Sequence, residues 1–184
     1  MLIANLLAGS LGRDLPDGSL ADWGIGHDSV LSGEVFRLIT SIFLSHDADM
    51  FGRQVVFAAA AIGYTEWTRA SAVTALLFFG LDIAGTLILL ACVGWAAGWV
   101  DLTSMNDVGM SIGGFGLIGV AIAQWRGKWL LLSVILLAIM AKFSIEPDLL
   151  ADGGHVLALL LGFAVHRFLP LSRLKRSRGP QNAR

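Results

Sequence analysis

Five long apolar runs are the feature that most constrains how this chain can fold. They cover residues 50–67, 70–99, 108–124, 128–143 and 153–169, with short polar stretches between them. About 20 apolar residues cross a hydrocarbon core of roughly 30 Å, so such runs are typical of transmembrane helices. The composition agrees, because 55% of the 184 residues are hydrophobic and only 15% are charged. The sequence therefore predicts an all-α, polytopic membrane helical bundle with five clear transmembrane helices.

The two ends of the chain differ from this apolar centre. Residues 1–12 form a short apolar segment that reaches only about 18 Å as a helix, so it is either an incomplete span or an interfacial segment. Residues 13–45 are mixed in character, which favours a structured loop or an interfacial helix. We predict one membrane domain over residues 1–170 and a basic cytoplasmic tail over residues 171–184, which would bind lipid headgroups.

Charge sets the predicted orientation and excludes one class of partner. Most of the 13 Lys and Arg residues fall on the cytoplasmic side if the C-terminus is cytoplasmic, as the positive-inside rule requires. The formal net charge of −1 gives no basic excess, so a nucleic-acid-binding function is excluded.

Two polar residues within the apolar runs are candidates for catalysis. Ser111 lies near the start of the run 108–124, and His155 lies near the start of the last run. Asp107 and Asp152 precede them as predicted helix N-caps, which places both side chains at a similar depth below the outer surface. Ionisable residues inside a membrane are costly and are functional candidates for that reason.

The spacing of small residues favours contact between these two helices. His155, Ala158 and Gly162 recur on one helical face, and Ser111 and Gly114 do the same on the other helix. Helices packed along such faces bring a hydroxyl and an imidazole within about 3 Å, which allows the histidine to take the serine proton. The alternative is a serine bonded to its own or a neighbouring helix and a histidine used for packing.

Asp82 and His46 have both functional and structural interpretations. Asp82 lies within the run 70–99, where it could serve a proton or ion pathway, but a hydrogen-bonded structural role is favoured. His46 lies beside Asp47 and Asp49 without a second histidine nearby, so we predict no metal site.

Three segments of the chain share a pattern with one known family. Residues 33–44 (GEVFRLITSIFL) match a segment that leads from an external loop into a helix, Gly109-Met110-Ser111 matches a nucleophile segment, and Gly154-His155 with the small residues that follow matches a histidine helix. Together they resemble the rhomboid family of intramembrane serine proteases over residues 33–169. The sequence DVGMS at residues 107–111 also resembles a divergent, actinobacterial rhomboid-like group.

This resemblance implies a six-helix core and a bacterial inner membrane location. Ser111 would be the nucleophile and His155 the general base, with no metal or organic cofactor. The implied partner is a transmembrane protein substrate, cut near its outer end. The histidine and asparagine of the rhomboid oxyanion motif fall at Met50 and Gln54, of which only Gln54 can donate a hydrogen bond.

The departures from the family pattern keep a second hypothesis open. Ile112 follows the serine where rhomboids have glycine, and Met50 replaces an oxyanion donor. Both favour a non-catalytic rhomboid-like protein that binds transmembrane clients. A small transporter built around Asp82 is the weakest alternative, because paired intramembrane charges and broken-helix repeats are not found in the sequence.

Overall fold

The computed structural model describes residues 1–97 and 105–168, and most of them are helical. The basic tail predicted over residues 171–184 lies outside the described residues. The elements run in the order α1 (Leu2–Ala8), α2 (Asp17–Trp23), β1 (Ile25–Gly26), α3 (His27–Leu31), α4 (Arg37–Thr40), a 3-10 helix (Ser41–Phe43), α5 (Ala48–Thr68), α6 (Ser71–Ala96), β2 (Asn106–Asp107), α7 (Ser111–Ile122), α8 (Lys128–Ile145), α9 (Leu149–Val165) and a 3-10 helix (His166–Phe168).

Three of the described helices are long and apolar enough to cross a membrane. They are Ser71–Ala96, Lys128–Ile145 and Leu149–Phe168. The other two predicted spans also form helices, but α5 carries charged residues at both ends and α7 has only 12 residues. Length and composition therefore support three membrane helices, fewer than the five that the apolar runs predicted.

Helix α7 lies at the centre of the bundle, against α5, α6 and α9. Leu117 and Val120 on α7 are fully buried, because neighbouring helices surround it. An ideal Cβ at Gly162 of α9 would lie 1.9 Å from the carbonyl oxygen of Gly116 on α7. The predicted small-residue face of α9 thus packs on α7. Gly114, which was expected to face α9, lies instead against Phe57 of α5.

A short antiparallel strand pair holds the chain just before α7, and the sequence did not predict it. Ile25 pairs with Asp107 and Gly26 with Asn106. The N–H of Gly109 also donates to the carbonyl oxygen of Ser41, at 2.9 Å. Backbone hydrogen bonds to two distant segments therefore fix the approach to the first turn of α7.

Buried polar side chains hold the first 45 residues of the chain together. Helix α1 has 7 residues and spans about 10 Å. Its fully buried Asn5 donates to the carbonyl oxygen of Phe43 at 2.9 Å. Arg37 is also buried, and it pairs with Glu34 at 2.7 Å and donates to the carbonyl oxygen of Gly24.

Candidate active site

Ser111 is the first residue of α7, and an aspartate from a neighbouring helix caps this helix. The carboxylate of Asp82 on α6 accepts the N–H of Gly113 at 2.7 Å. Helix starts leave their first N–H groups without intrahelical acceptors, so this bond satisfies one of them. The predicted N-cap, Asp107, lies four residues before the helix, and its carboxylate accepts the N–H of Val108. The cap prediction for Asp107 was wrong, while Asp82 has the hydrogen-bonded role that was favoured.

His155 lies deeper within its helix than the sequence suggested. Asp148 caps α9 by accepting the N–H of Ala151 at 2.9 Å, so the helix begins before the predicted cap, Asp152. Asp152 is instead in the first turn, where it pairs with Lys142 of α8 at 3.0 Å. His155 therefore lies about 9 Å along the axis from the first residue of α9.

The imidazole of His155 stacks on an aromatic ring that sequence reasoning did not single out. Its ring centroid lies 4.3 Å from that of Phe115, with the two planes 22° apart. Phe115 follows Ser111 by four residues and so shares a face of α7 with it. That four-residue spacing is the feature of the sequence from which Phe115 could have been predicted to lie near the site. The stacking restrains the His155 ring on the side where Ser111 lies.

Ser111 and His155 both line one cavity of about 1010 Å³. Within the described chain, Nε2 of His155 is buried and has no hydrogen-bond partner. The structure therefore brings the two side chains to the same cavity but does not join them by a hydrogen bond through this nitrogen. Nucleophile and base are often further apart before substrate binds, so this geometry permits a dyad.

Gln54 lines the same cavity and presents an amide without a partner on its nitrogen. Its Oε1 accepts a hydrogen bond from the hydroxyl of Ser45 at 2.7 Å. Its Nε2 is buried, lacks a partner among the described residues, and lies 2.6 Å from the ideal Cβ position of Gly109. Gly109 has φ +129°, which also favours glycine there. The NH₂ group of Gln54 is thus an available hydrogen-bond donor beside Gly109, two residues before Ser111.

The side chain of Met50 lies in the cavity next to the same glycine. Its Cε is 2.9 Å from the ideal Cβ position of Gly109, and its sulfur accepts the N–H of His46 at 3.3 Å. Met50 thus fills space beside the Gln54 amide without supplying a donor.

Ile112 is directed away from the cavity, between α6 and α9. Its Cγ2 lies 2.7 Å from the ideal Cβ position of Gly85, and its Cδ1 lies 3.3 Å from that of Gly154. A side chain at either position would collide with it or press against it. The two glycines therefore make room for the isoleucine that follows the serine.

Seven ionisable side chains also line the cavity. They are His46, Asp47, Arg53, Asp107, Lys142, Glu146 and Asp148. Nε2 of His46 lies 3.1 Å from the carboxylate of Asp107, a contact that joins the start of α5 to the segment before α7. This hydrogen bond raises the pKa of His46 above its usual 6.5, although partial burial acts in the opposite direction. Among the described residues, no group of three or more His, Cys, Asp or Glu side chains is arranged to hold a metal ion.

Comparison of the chain with protein-family models, curated proteins and solved structures gave no match. The functional assignment therefore depends on the chemistry of the cavity and on the sequence pattern.

Proposed function

We propose that this protein is an intramembrane serine protease of the rhomboid type, acting on transmembrane protein substrates. The observation that carries the proposal is the convergence of Ser111, His155 and Gln54 on one cavity from three separate helices. Nucleophile, base and oxyanion donor are the groups that acyl transfer requires, and they are far apart in the sequence.

In the proposed reaction, the Ser111 hydroxyl attacks the carbonyl carbon of the scissile peptide bond while His155 accepts its proton. The resulting oxyanion accepts hydrogen bonds from the Gln54 amide and from the N–H of Ser111, which has no acceptor within its own helix. His155 then gives the proton to the leaving amine. Water from the cavity hydrolyses the acyl-enzyme, with His155 again acting as base.

The arrangement of helix ends supports a cavity that opens at one membrane surface. Helices α5, α7 and α9 all begin at the cavity, and the end of α8 contributes Lys142 and Glu146 to it. This alternation fits five membrane-crossing helices with a short α1 beside them. We place the cavity at the outer face of a bacterial inner membrane, with the C-terminus in the cytoplasm and its basic tail on anionic lipid.

The proposal is tested with a fluorophosphonate probe on the protein purified in detergent and in lipid bilayers. Wild type should be labelled, and Ser111→Ala and His155→Ala should each abolish labelling. Ser133→Ala is the matched control, because Ser133 is exposed on α8 and does not line the cavity. Absence of labelling in folded wild type, in both detergent and bilayers, would overturn the proposal.

The second candidate function is non-catalytic binding of transmembrane clients. It is favoured by Met50 in the place of an oxyanion donor and by Nε2 of His155, which has no hydrogen-bond partner among residues 1–97 and 105–168. This function predicts that Ser111→Ala still binds a single-span helix in bilayers as wild type does, while the probe labels neither protein.

A further inference from the structure

The two ends of the Gln54 amide have different surroundings. Oε1 receives the hydroxyl hydrogen of Ser45 at 2.7 Å, whereas Nε2 lies against Gly109 with no partner among the described residues. Gln54 itself is only 5% exposed, so solvent does not complete its hydrogen bonds. The bond from Ser45 is therefore the one side-chain hydrogen bond in the described chain that holds this amide.

The orientation of the amide decides whether Gln54 can stabilise an anion. A terminal amide can rotate by half a turn with little change in shape, which exchanges its oxygen and its nitrogen. With the nitrogen beside Gly109, the amide offers a donor to an oxyanion formed at Ser111. With the oxygen there, it would offer an acceptor and repel the same charge.

Ser45 is itself held by contacts that do not involve Gln54. It is fully buried, and its N–H donates to Oδ1 of Asn5 at 2.8 Å. Asn5 in turn donates to the carbonyl oxygen of Phe43. The backbone of Ser45 is thus held by the N-terminal helix, while its hydroxyl bonds to the amide.

We infer that Ser45 is a positioning residue, whose hydrogen bond holds the Gln54 side chain beside Gly109, where its NH₂ group can donate to the oxyanion formed at Ser111. The inference rests on the proposed protease function and adds the N-terminal segment to the site. Its electrostatic basis is that only a correctly directed donor stabilises the developing charge.

The experiment measures kinact and KI of fluorophosphonate labelling separately. Ser45→Ala should lower kinact roughly tenfold, less than the roughly 10²–10³ lost with a whole oxyanion donor, and leave KI unchanged. In a Gln54→Ala background, Ser45→Ala should have no further effect, because the two residues act through one amide.

Ser10→Ala is the matched control for loss of a buried hydroxyl. Ser10 is also fully buried and donates to Oδ1 of Asn5 at 2.7 Å, in the same network but without contact to Gln54. It should lower kinact less than Ser45→Ala does, because it reaches Ser45 only through Asn5. If Ser45→Ala does not fold, Ser45→Cys carries the test, since a thiol is a weaker donor and should lower kinact in part.

Two results would separate this inference from the proposed function. A labelled wild type in which folded Ser45→Ala or Ser45→Cys reacts as fast as wild type would overturn the positioning role alone. The same holds if Ser10→Ala lowers kinact as much as Ser45→Ala, or if the effects of Ser45→Ala and Gln54→Ala multiply. A folded wild type that is never labelled would overturn the protease function and the role of Ser45 with it.

Discussion

Gly162→Ala should push α7 and α9 apart and slow the reaction of Ser111. An ideal Cβ at residue 162 lies 1.9 Å from the carbonyl oxygen of Gly116 and 2.8 Å from its carbonyl carbon. A carbon and a carbonyl oxygen in close contact are about 3.4 Å apart, so one helix must move by about 1.5 Å. Backbone atoms have no rotamer that relieves the contact, so this movement separates the two helices.

The size of the effect follows from two opposing terms. Overpacking costs about 1–3 kcal/mol, while alanine in a helix interior gains about 0.5–1 kcal/mol over glycine. We therefore expect the free energy of unfolding to fall by up to about 2 kcal/mol. A misplacement of about 1 Å can cost roughly 10²-fold in rate. Since the change lies two turns from His155, labelling should slow by roughly 10- to 100-fold.

Gly153→Ala is the control on the same helix. The nearest atom to its ideal Cβ is a methyl carbon of Leu89 at 3.8 Å, an ordinary contact. This variant should keep the wild-type labelling rate and gain slightly in stability. Both variants are compared by probe labelling and by thermal unfolding in one detergent. Equal stability and equal labelling for Gly162→Ala and Gly153→Ala would refute the predicted separation of α7 and α9.

Three further predictions concern the residues around the site. Gly85→Ala should lower the thermal stability, because its Cβ would lie 2.7 Å from Ile112. Adding Ile112→Ala should restore part of the loss, and additive effects of the two substitutions in this double-mutant cycle would contradict the contact. Asp82→Ala should lower the free energy of unfolding by about 0.5–2 kcal/mol through loss of a helix cap, and Asp82→Asn should lower it less. If wild type conducts protons across proteoliposome membranes and both variants abolish that flux, Asp82 serves a proton pathway instead. The pKa of His46 is raised above 6.5 in the folded state by Asp107, so the excess stability of wild type over His46→Ala should be greatest below pH 6.5 and decline as the pH rises through the raised pKa. A difference that is constant with pH would contradict this prediction.

The apolar runs predicted the helices well, but local patterns did not predict how they begin. The run 128–143 corresponds to Lys128–Ile145 in the structure, because continuous apolar sequence is itself the signal for such a helix. An aspartate before an apolar run indicates a cap only when no other acceptor reaches the first turn. For α7 that acceptor comes from Asp82 on another helix, and for α9 it comes from an earlier aspartate, Asp148.

The site residues named from the sequence reach one cavity even though the helix caps predicted before Ser111 and His155 were wrong. Ser111 starts its helix and His155 does not, yet close packing of α7 on α9 brings both to the same space. Phe115 could have been found from its spacing to Ser111. Ser45 could not, since its role depends on hydrogen bonds to Gln54 and Asn5 that no local pattern reveals.

The structure changes which departure from the rhomboid pattern weighs against catalysis. A large residue after the nucleophile would block a substrate if it pointed into the cavity, but Ile112 packs between Gly85 and Gly154. Its size is therefore matched by two glycines on neighbouring helices and no longer favours the client-binding function. Met50 remains, because a thioether cannot donate. The choice between protease and client-binding protein thus depends on electrostatics: whether the Gln54 amide and the backbone at Ser111 suffice to stabilise an oxyanion.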